Sequence, residues 1–400
     1  MTNDFTMPTP AELAALHFQT YSLPAQLYSA PGRVNLIGEH TDYCDGFVMP
    51  AAIDFSTLIG ISMRTDGLLV AHSVNFGESL SQPIETYLND RFQRLREGAK
   101  LHWSDYPVGV LWALRKHGVP VEDGFSLTIA GNVPLGAGLS SSASLEVATA
   151  FAVLGVTSFD MPLPKIAQLC RQAENEFVGA NVGIMDQYVS CCGAQDHAVM
   201  IDCRSLEYTL APIPSDVRIV ICNSMVKHEH ASGGYNTRRA EIEEGTQLLR
   251  SHRPEIKALR DATVEDLARW GAEMKPNVLR RCRHVVTEDN RVIAAVGAFN
   301  TGDLARFGEL MREAHISFRD DFEASCKEID ILVDLANKQP GCYGARLTGG
   351  GFGGCTVNLV AAEQAPAFVA AMREGYIAAT GITPEIYTSR ASAGAHTIAL

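Results

Sequence analysis

The spacing of apolar positions changes several times along this chain, and each change marks an element. Residues 11 to 30 read as a helix, Ala11 to Phe18, and a lead-in strand. Val34, Leu36 and Ile37 form a short apolar run that predicts a buried strand, and Gly38 breaks it. Phe47 to Met49, Ser56 to Ile61 and Leu68 to Ala71 alternate with turns, as a mixed or antiparallel sheet would. Val108, Val110, Leu111 and Leu114 give Asp105 to Lys116 an amphipathic helical pattern. Phe125 to Ala130 alternates cleanly as a strand, and Ser144 to Leu154 turns helical. Pro164 to Val178 predicts a second strong helix, with a stripe of Ile166, Leu169, Cys170, Ala173 and Phe177. Pro164 suits its first turn and Gly179 its C′ position. Glu174 falls roughly 80° from the stripe centre, at an edge where it can face a cleft. Val199 to Asp202 and Val217 to Cys222 read as strands beginning a second domain, and 240 to 335 is mostly helical with charged outer faces. A strand at Cys355 to Val360, a helix at Ala365 to Tyr376 and a last strand complete an α+β chain.

The length of 400 residues exceeds the usual single core, which predicts two domains, drawn at 1–210 and 211–400. A chain that is 46% hydrophobic and 20% charged is ordinary for a soluble protein. Its net charge of −13 argues against sequence-independent nucleic-acid binding, and it requires any phosphate site to be local and preorganised. No apolar run reaches the length of a membrane span, and residues 1–10 lack the pattern of a signal peptide. None of the ten cysteines sits in a CxxC pair, and Cys191 and Cys192 are adjacent, which suits reduced cytosolic thiols. The expectation is a cytoplasmic monomer with no nucleic-acid or membrane partner.

Three stretches carry chemistry. The first, 31–43, passes from the apolar run into Glu39, His40, Thr41, Asp42 and Tyr43, with Arg33 just upstream. A loop so rich in donors and acceptors at a strand end suits a ligand with many hydroxyls; the alternative is a solvated turn. The second, Asn132 to Ala143, places Gly136, Ala137, Gly138, Leu139, Ser140, Ser141 and Ser142 in a loop entering a helix. Helix N-termini carry unpaired N–H groups and partial positive charge, and glycines let backbone close around an anion. The loop lacks the Gly-Lys-Ser/Thr of a Walker A motif, and a Ser-rich cap with packing glycines is the alternative. The third, Leu347 to Cys355, contains Gly349, Gly351 and Gly354 at GxGxxG spacing, but a strand follows where a dinucleotide fold needs a helix. Separately, Asp186 lies among apolar and amide residues just after Gly183, as a site carboxylate or a helix cap. The spacing of His228 and His230 does not fit HExxH, and solvated loop histidines are the better reading.

Residues 32–43 resemble the galactokinase signature, Pro134 to Ser142 resembles the phosphate loop of the GHMP kinase superfamily, and Leu347 to Cys355 resembles its third motif. All three occur in family order, and the resemblance spans essentially the whole chain. It implies a two-domain GHMP kinase fold with the active site in the cleft between the domains. It also implies transfer of the γ-phosphate of MgATP to the 1-hydroxyl of α-D-galactose, the first committed step of galactose catabolism. By resemblance, Ser142 and Glu174 hold Mg²⁺, Asp186 is the catalytic aspartate and Arg33 the basic residue beside it. Glu39, His40, Thr41, Asp42, Gly183 and Tyr235 match the sugar site, Tyr235 within a Tyr-Asn-x-Arg-Arg stretch. The resemblance likewise implies that the Gly136–Ser142 loop holds the phosphates of ATP. A loose phosphoryl-transfer transition state makes the position of Asp186 matter more than its base strength. Two other readings stand beside this one: an N-acetylgalactosamine kinase, and a sugar-and-ATP-binding sensor without catalysis. Sensor relatives are altered near the Ser-Ala step, whereas Ser142-Ala143 is intact here.

Overall fold

The computed structural model describes residues 6–89, 100–180, 182–227 and 231–400. His228 and His230 lie outside them. Helix α1 (Pro10–Tyr21) is closed at its start by a capping box between Thr9 and Glu12. Strand β1 (Gln26–Ile37) is buried from its second residue on, and β2 (Phe47–Met63) pairs with it antiparallel. The two short strands expected within 47–61 are this one strand. Its first half pairs with β1 and its second half bridges β1 to β5 (Gly124–Gly131). Strands β3 (Leu68–Ser73) and β4 (Glu78–Pro83) extend the sheet, β3 running parallel to β5.

Helices α2 (Asp105–Lys116), α3 (Ser141–Val156), α4 (Leu163–Gln172) and α5 (Met185–Cys192) pack with this sheet around one apolar core. The helix predicted from Pro164 to Val178 changes character partway. After α4, Ala173–Val178 winds as a π-helix, ending at Gly179 with φ 88°. The apolar stripe looks the same for either winding, so the sequence pattern could not announce it. Strands β6 (His197–Asp202) and β7 (Tyr208–Pro212) join through β2. Val199 to Asp202 therefore lies in the first sheet rather than beginning a second domain.

Strand β8 (Val217–Lys227) opens a second sheet, followed by helices α6 (Ala231–His252), α7 (Val264–Trp270), α8 (Pro276–Thr301), α9 (Leu304–Asp320) and α10 (Lys327–Ala336). Strands β9 (Cys342–Thr348) and β10 (Gly353–Ala361), helix α11 (Ala365–Thr380) and β11 (Glu385–Ser389) complete it in the order β11-β8-β10-β9. The last strand, β12 (His396–Ile398), returns to pair with β1, and the 210/211 division falls inside β7. Among the described residues the first sheet has eight strands and the second four.

The two sheets share one apolar cluster, in which Val34, Leu36 and Met49 of the first meet Ile219, Ile221 and Val357 of the second and Val292 of α8. Burial of this seam fixes β1 against the second half of the molecule. Close backbone approach helps: Gly308 of α9 lies against β9, where a Cβ would come within 1.7 Å of the Tyr343 carbonyl oxygen. Gly308→Ala should cost about 3 kcal/mol, the upper end for forced overpacking. Gly297→Ala, on an exposed helical position with open space around it, should stabilise by about 0.5–1 kcal/mol. Urea midpoints of the two variants should therefore move in opposite directions.

Candidate active site

Strand β1 delivers Arg33 through a break in its pairing with β2, between Pro31 and Arg33, and such breaks re-aim side chains. A Cβ at Gly32 would stand 2.6 Å from the Leu139 carbonyl oxygen. Glycine there lets the loop at 132–140 lie against β1, and Leu139 O accepts the Arg33 N–H at 3.1 Å. The buried Arg33 side chain then reaches across to α5. Its Nε donates to Asp186 Oδ1 at 2.8 Å and its Nη2 to Oδ2 at 2.7 Å, while Nη1 donates to Gly138 O at 2.6 Å. Two parallel charge-assisted hydrogen bonds fix the carboxylate in plane as well as in place.

Ser140 meets the same carboxylate from the phosphate-loop side. It is left-handed at φ 61°, immediately before α3, and its Oγ donates to Asp186 Oδ2 at 2.5 Å. Gly136 and Gly138 are also left-handed, at φ 69° and 74°, which curves the loop around the start of α3. Ala137 and Leu139 are buried and anchor it, with Leu135 exposed at the rim. Ser141 and Ser142 are the first residues of α3 and half-buried, and the Ser142 side chain favours the charged form of the Glu174 carboxyl.

On the other side of Asp186 opens a cleft of about 240 Å³, walled by Arg33, Glu39, His40, Asp42, Gly183, Asp186 and Tyr235. Gly38, with φ 97°, turns the chain out of β1 and presents Glu39 and His40. Glu39 Oε1 accepts the Gly349 N–H at 2.8 Å, and Arg346 lies 3.4 Å away. Burial raises the Glu39 carboxyl above its usual range against these partners. His40 donates from Nε2 to Gly350 O at 3.3 Å, so its Nδ1 accepts the Tyr43 hydroxyl at 2.8 Å. Burial, aided by His284, lowers the His40 pKa to about 3 and keeps the ring neutral. Asp42 is raised by burial and then by the charge of Asp186. A Cβ at Gly183 would stand 1.6 Å from Asp42 Oδ2, so glycine is needed for that carboxylate to enter the cleft. Tyr235, near the start of α6, lies with its ring centroid 5.3 Å from that of His40, tilted at 43°.

Thr41 stands apart from this wall. It is fully buried, and its hydroxyl lies 2.6 Å from Phe47 O, holding the turn rather than lining the cleft. Tyr43, Val182 and Met185 also line the wall, beyond the residues that the sequence pattern assigns to the sugar. The pattern likewise leaves unassigned a narrow apolar slot of about 70 Å³ beside the phosphate loop, walled by Phe76, Trp103, Val133, Leu135 and Leu145. The aromatic residues on short connections are its only sequence signal.

Glu174 is 5% exposed and hydrogen-bonds the Gln187 Nε2 at 2.6 Å. Burial, and then Asp186, raises its pKa to about 7. Behind it Glu146 is completely buried, with Oε1 unpartnered, and burial holds it well above the carboxylate range. Among the described residues no group of three or more His, Cys, Asp and Glu forms an all-protein metal cage. A hydroxyl and one carboxylate beside a phosphate cradle are instead the donor set that suits Mg²⁺, which takes its remaining ligands from phosphates and water.

A curled glycine–serine loop at a helix start, beside a polar cleft at the junction of two sheets, defines a small-molecule kinase of the GHMP class. Residues 105–194 match the GHMP kinases N terminal domain and residues 295–378 the GHMP kinases C terminal domain. The solved mevalonate kinase of Methanococcus jannaschii, 18% identical, shares the fold at a TM-score of 0.64, with 92% of this chain and 98% of that one covered. Residues 15–63 match the galactokinase galactose-binding signature. The chain is 43% identical to a galactokinase of Chloroflexus aurantiacus over 371 residues, 93% of each protein. It is 42% identical to one from Roseiflexus sp. over 384 residues, 96% of each. The structure of Lactococcus lactis galactokinase complexed with galactose superposes at a TM-score of 0.89, with 32% identity, 97% of this chain and 99% of that one covered. The chain belongs to the galactokinase family, and it is an ATP-dependent sugar kinase. No helix among the described residues is long and apolar enough to cross a membrane.

One group near the cleft sets a pH dependence. Asp289 of α8 is 6% exposed, Oδ1 accepts the Phe47 N–H at 2.8 Å, and burial pushes its pKa up to about 7. An aspartate in the unfolded chain ionises near 3.8. The folded state therefore binds the extra proton, and stability falls as pH rises from about 4 to 7 and stays lower above that. Asp289→Asn should remove up to about 1.4 kcal/mol per pH unit of that slope, read from urea midpoints between pH 5 and 7.5.

Proposed function

We propose that this kinase phosphorylates galactose at its 1-hydroxyl, using MgATP and releasing ADP, and so catalyses the first committed step of galactose catabolism. The observation that carries the reading is the position of Asp186, whose carboxylate stands between the hexose-sized cleft and the serine loop while touching Arg33 and Ser140. Family membership, and the galactose with which the Lactococcus lactis relative is complexed, support the choice of sugar.

In the reaction, the sugar oxygen forms a bond to the γ-phosphorus as the bond from that phosphorus to the bridging oxygen of ADP breaks. Asp186 orients the sugar hydroxyl and takes its proton at Oδ1, which carries a single hydrogen bond from Arg33 and has a lone pair free. Arg33, held in plane by that carboxylate, meets the charge spread over the transferring phosphoryl oxygens. Glu39, His40, Asp42 and Tyr235 pair the remaining hydroxyls. A site built to pair a hydroxyl rejects an epimer that leaves its buried groups unpaired, and that separates the axial 4-hydroxyl of galactose from the equatorial one of glucose. The N–H groups of Gly136 to Ser142 cradle the phosphates, and the slot beside Trp103 suits the flat base. Ser142 and Glu174 are the residues that would hold Mg²⁺, which when bound neutralises phosphate charge. The acidic net charge and the form of the sites suit a cytoplasmic enzyme working on small molecules.

A panel of hexoses with ATP and Mg²⁺ tests this, with ADP release as the readout. Galactose should lead, ahead of glucose and of 2-acetamido-2-deoxygalactose; better use of the 2-acetamido sugar would transfer the assignment to an N-acetylgalactosamine kinase. Asp186→Ala should abolish turnover with ATP affinity nearly unchanged, and retained kcat would remove Asp186 from this role. Sugar binding without ADP release in the wild type would favour a sensor.

A further inference from the structure

The loop that presents Glu39, His40 and Asp42 pairs with no strand, although Asn35 of β1 donates to Gly38 O at 3.0 Å and the Thr41 hydroxyl to the same carbonyl at 3.2 Å. Beyond Ile37 its backbone is held from the other half of the molecule by α8, a helix that does not line the cleft. Glu288 Oε1 accepts the Gly38 N–H at 2.9 Å and the Glu39 N–H at 3.3 Å. His284 Nε2 lies 3.2 Å from Glu39 O. A carbonyl only accepts, so the ring donates from Nε2, and its Nδ1 takes the Ser317 hydroxyl at 2.9 Å. The peptide groups on both sides of Glu39 are thus gripped by two side chains one helical turn apart on one face.

Both side chains are completely buried, which makes the grip rigid and removes competing water. Burial lowers the His284 pKa to about 4, so the ring is a neutral donor at physiological pH. Burial opposes the Glu288 charge, but Arg291 and Arg346 outweigh it and hold the pKa at about 2. Arg291 Nε donates to Glu288 Oε2 at 2.7 Å, leaving Oε1 for the loop. Arg346, also fully buried, lies 3.4 Å from the Glu39 carboxylate. Two carboxylates and two guanidinium groups therefore form one cluster behind the sugar wall.

We propose that His284 and Glu288 are positioning residues for the sugar. They set the direction of the peptides around Glu39, and through them the aim of the Glu39, His40 and Asp42 side chains, without touching the substrate. The proposal rests on the reading of this cleft as the hexose site. It predicts that loosening the grip weakens sugar binding selectively, because the phosphate loop and Asp186 are anchored elsewhere, on β1, α3 and α5.

Steady-state kinetics of His284→Leu, His284→Gln and Glu288→Gln, with the best hexose from the panel, test it. Glutamine can place an N–H donor where Nε2 stands, whereas leucine cannot. His284→Leu should raise the sugar KM about tenfold or more, the effect of leaving a buried carbonyl unpaired. KM for ATP and kcat should stay within about threefold, and His284→Gln should recover most of the loss. Equal changes in both KM values, an unchanged sugar KM, or a glutamine variant as impaired as leucine would each overturn the proposal. If His284→Leu does not fold, Glu288→Gln decides. It keeps the shape and one acceptor oxygen, and should raise the sugar KM about threefold or more with ATP KM unchanged; a sugar KM equal to wild type would overturn the proposal. Failure of the wild type to phosphorylate any hexose would instead count against the functional reading, so the two failures are read from different samples.

Discussion

The paired hydrogen bonds between Arg33 and Asp186 are the contact on which this active site depends. They join β1 to α5, and the same guanidinium reaches Gly138 O in the phosphate loop. One cation thereby sets the spacing between the Asp186 carboxylate at the cleft and the glycine–serine loop. The pair is only partly exposed, with side-chain accessibilities of 8% and 27%. Taking one partner away would leave a poorly solvated charge, so the geometry is held more firmly than a surface ion pair could hold it.

Around that contact the molecule divides its work. The first sheet, α3 and α5 supply Arg33, the glycine–serine loop and Asp186, whereas β9 supplies Arg346, and the turn after it Gly349 and Gly350, behind the cleft. The sugar loop is therefore compressed between β9 and α8, and the apolar seam shared by the sheets keeps those surfaces in register. This explains why an acidic chain can bind a polyphosphate. On the proposed reading, the favourable field would come from backbone N–H groups of the glycine–serine loop and from Arg33, against a net charge of −13.

Much of this was legible in the sequence because the chemistry is local there. A run of polar residues after a strand-breaking glycine, and glycines and serines ahead of a helical pattern, each mark a candidate site within a dozen positions, and the structure brings both beside Asp186. The third glycine motif was correctly separated from a dinucleotide loop by the strand that follows it. What could not be read acts at a distance. Glu288 grips Gly38 from 250 residues away by a bond to backbone, which leaves no residue-type signature at the loop. The π-helical turn carrying Glu174 was hidden because its apolar stripe equally fits an α-helix. The inward-turned hydroxyl of Thr41 was invisible too, since a threonine that bonds its own turn looks like one that bonds a ligand.

The central claim is that Arg33 and Asp186 act on the transferring phosphoryl as one unit. A double-mutant cycle in single-turnover phosphoryl transfer, with Arg33→Met, Asp186→Asn and the pair combined, tests it most directly. If the two act together, either single change should cost nearly as much rate as both, leaving a large coupling between them. Rate losses that simply multiply would mean independent roles, and would contradict the account.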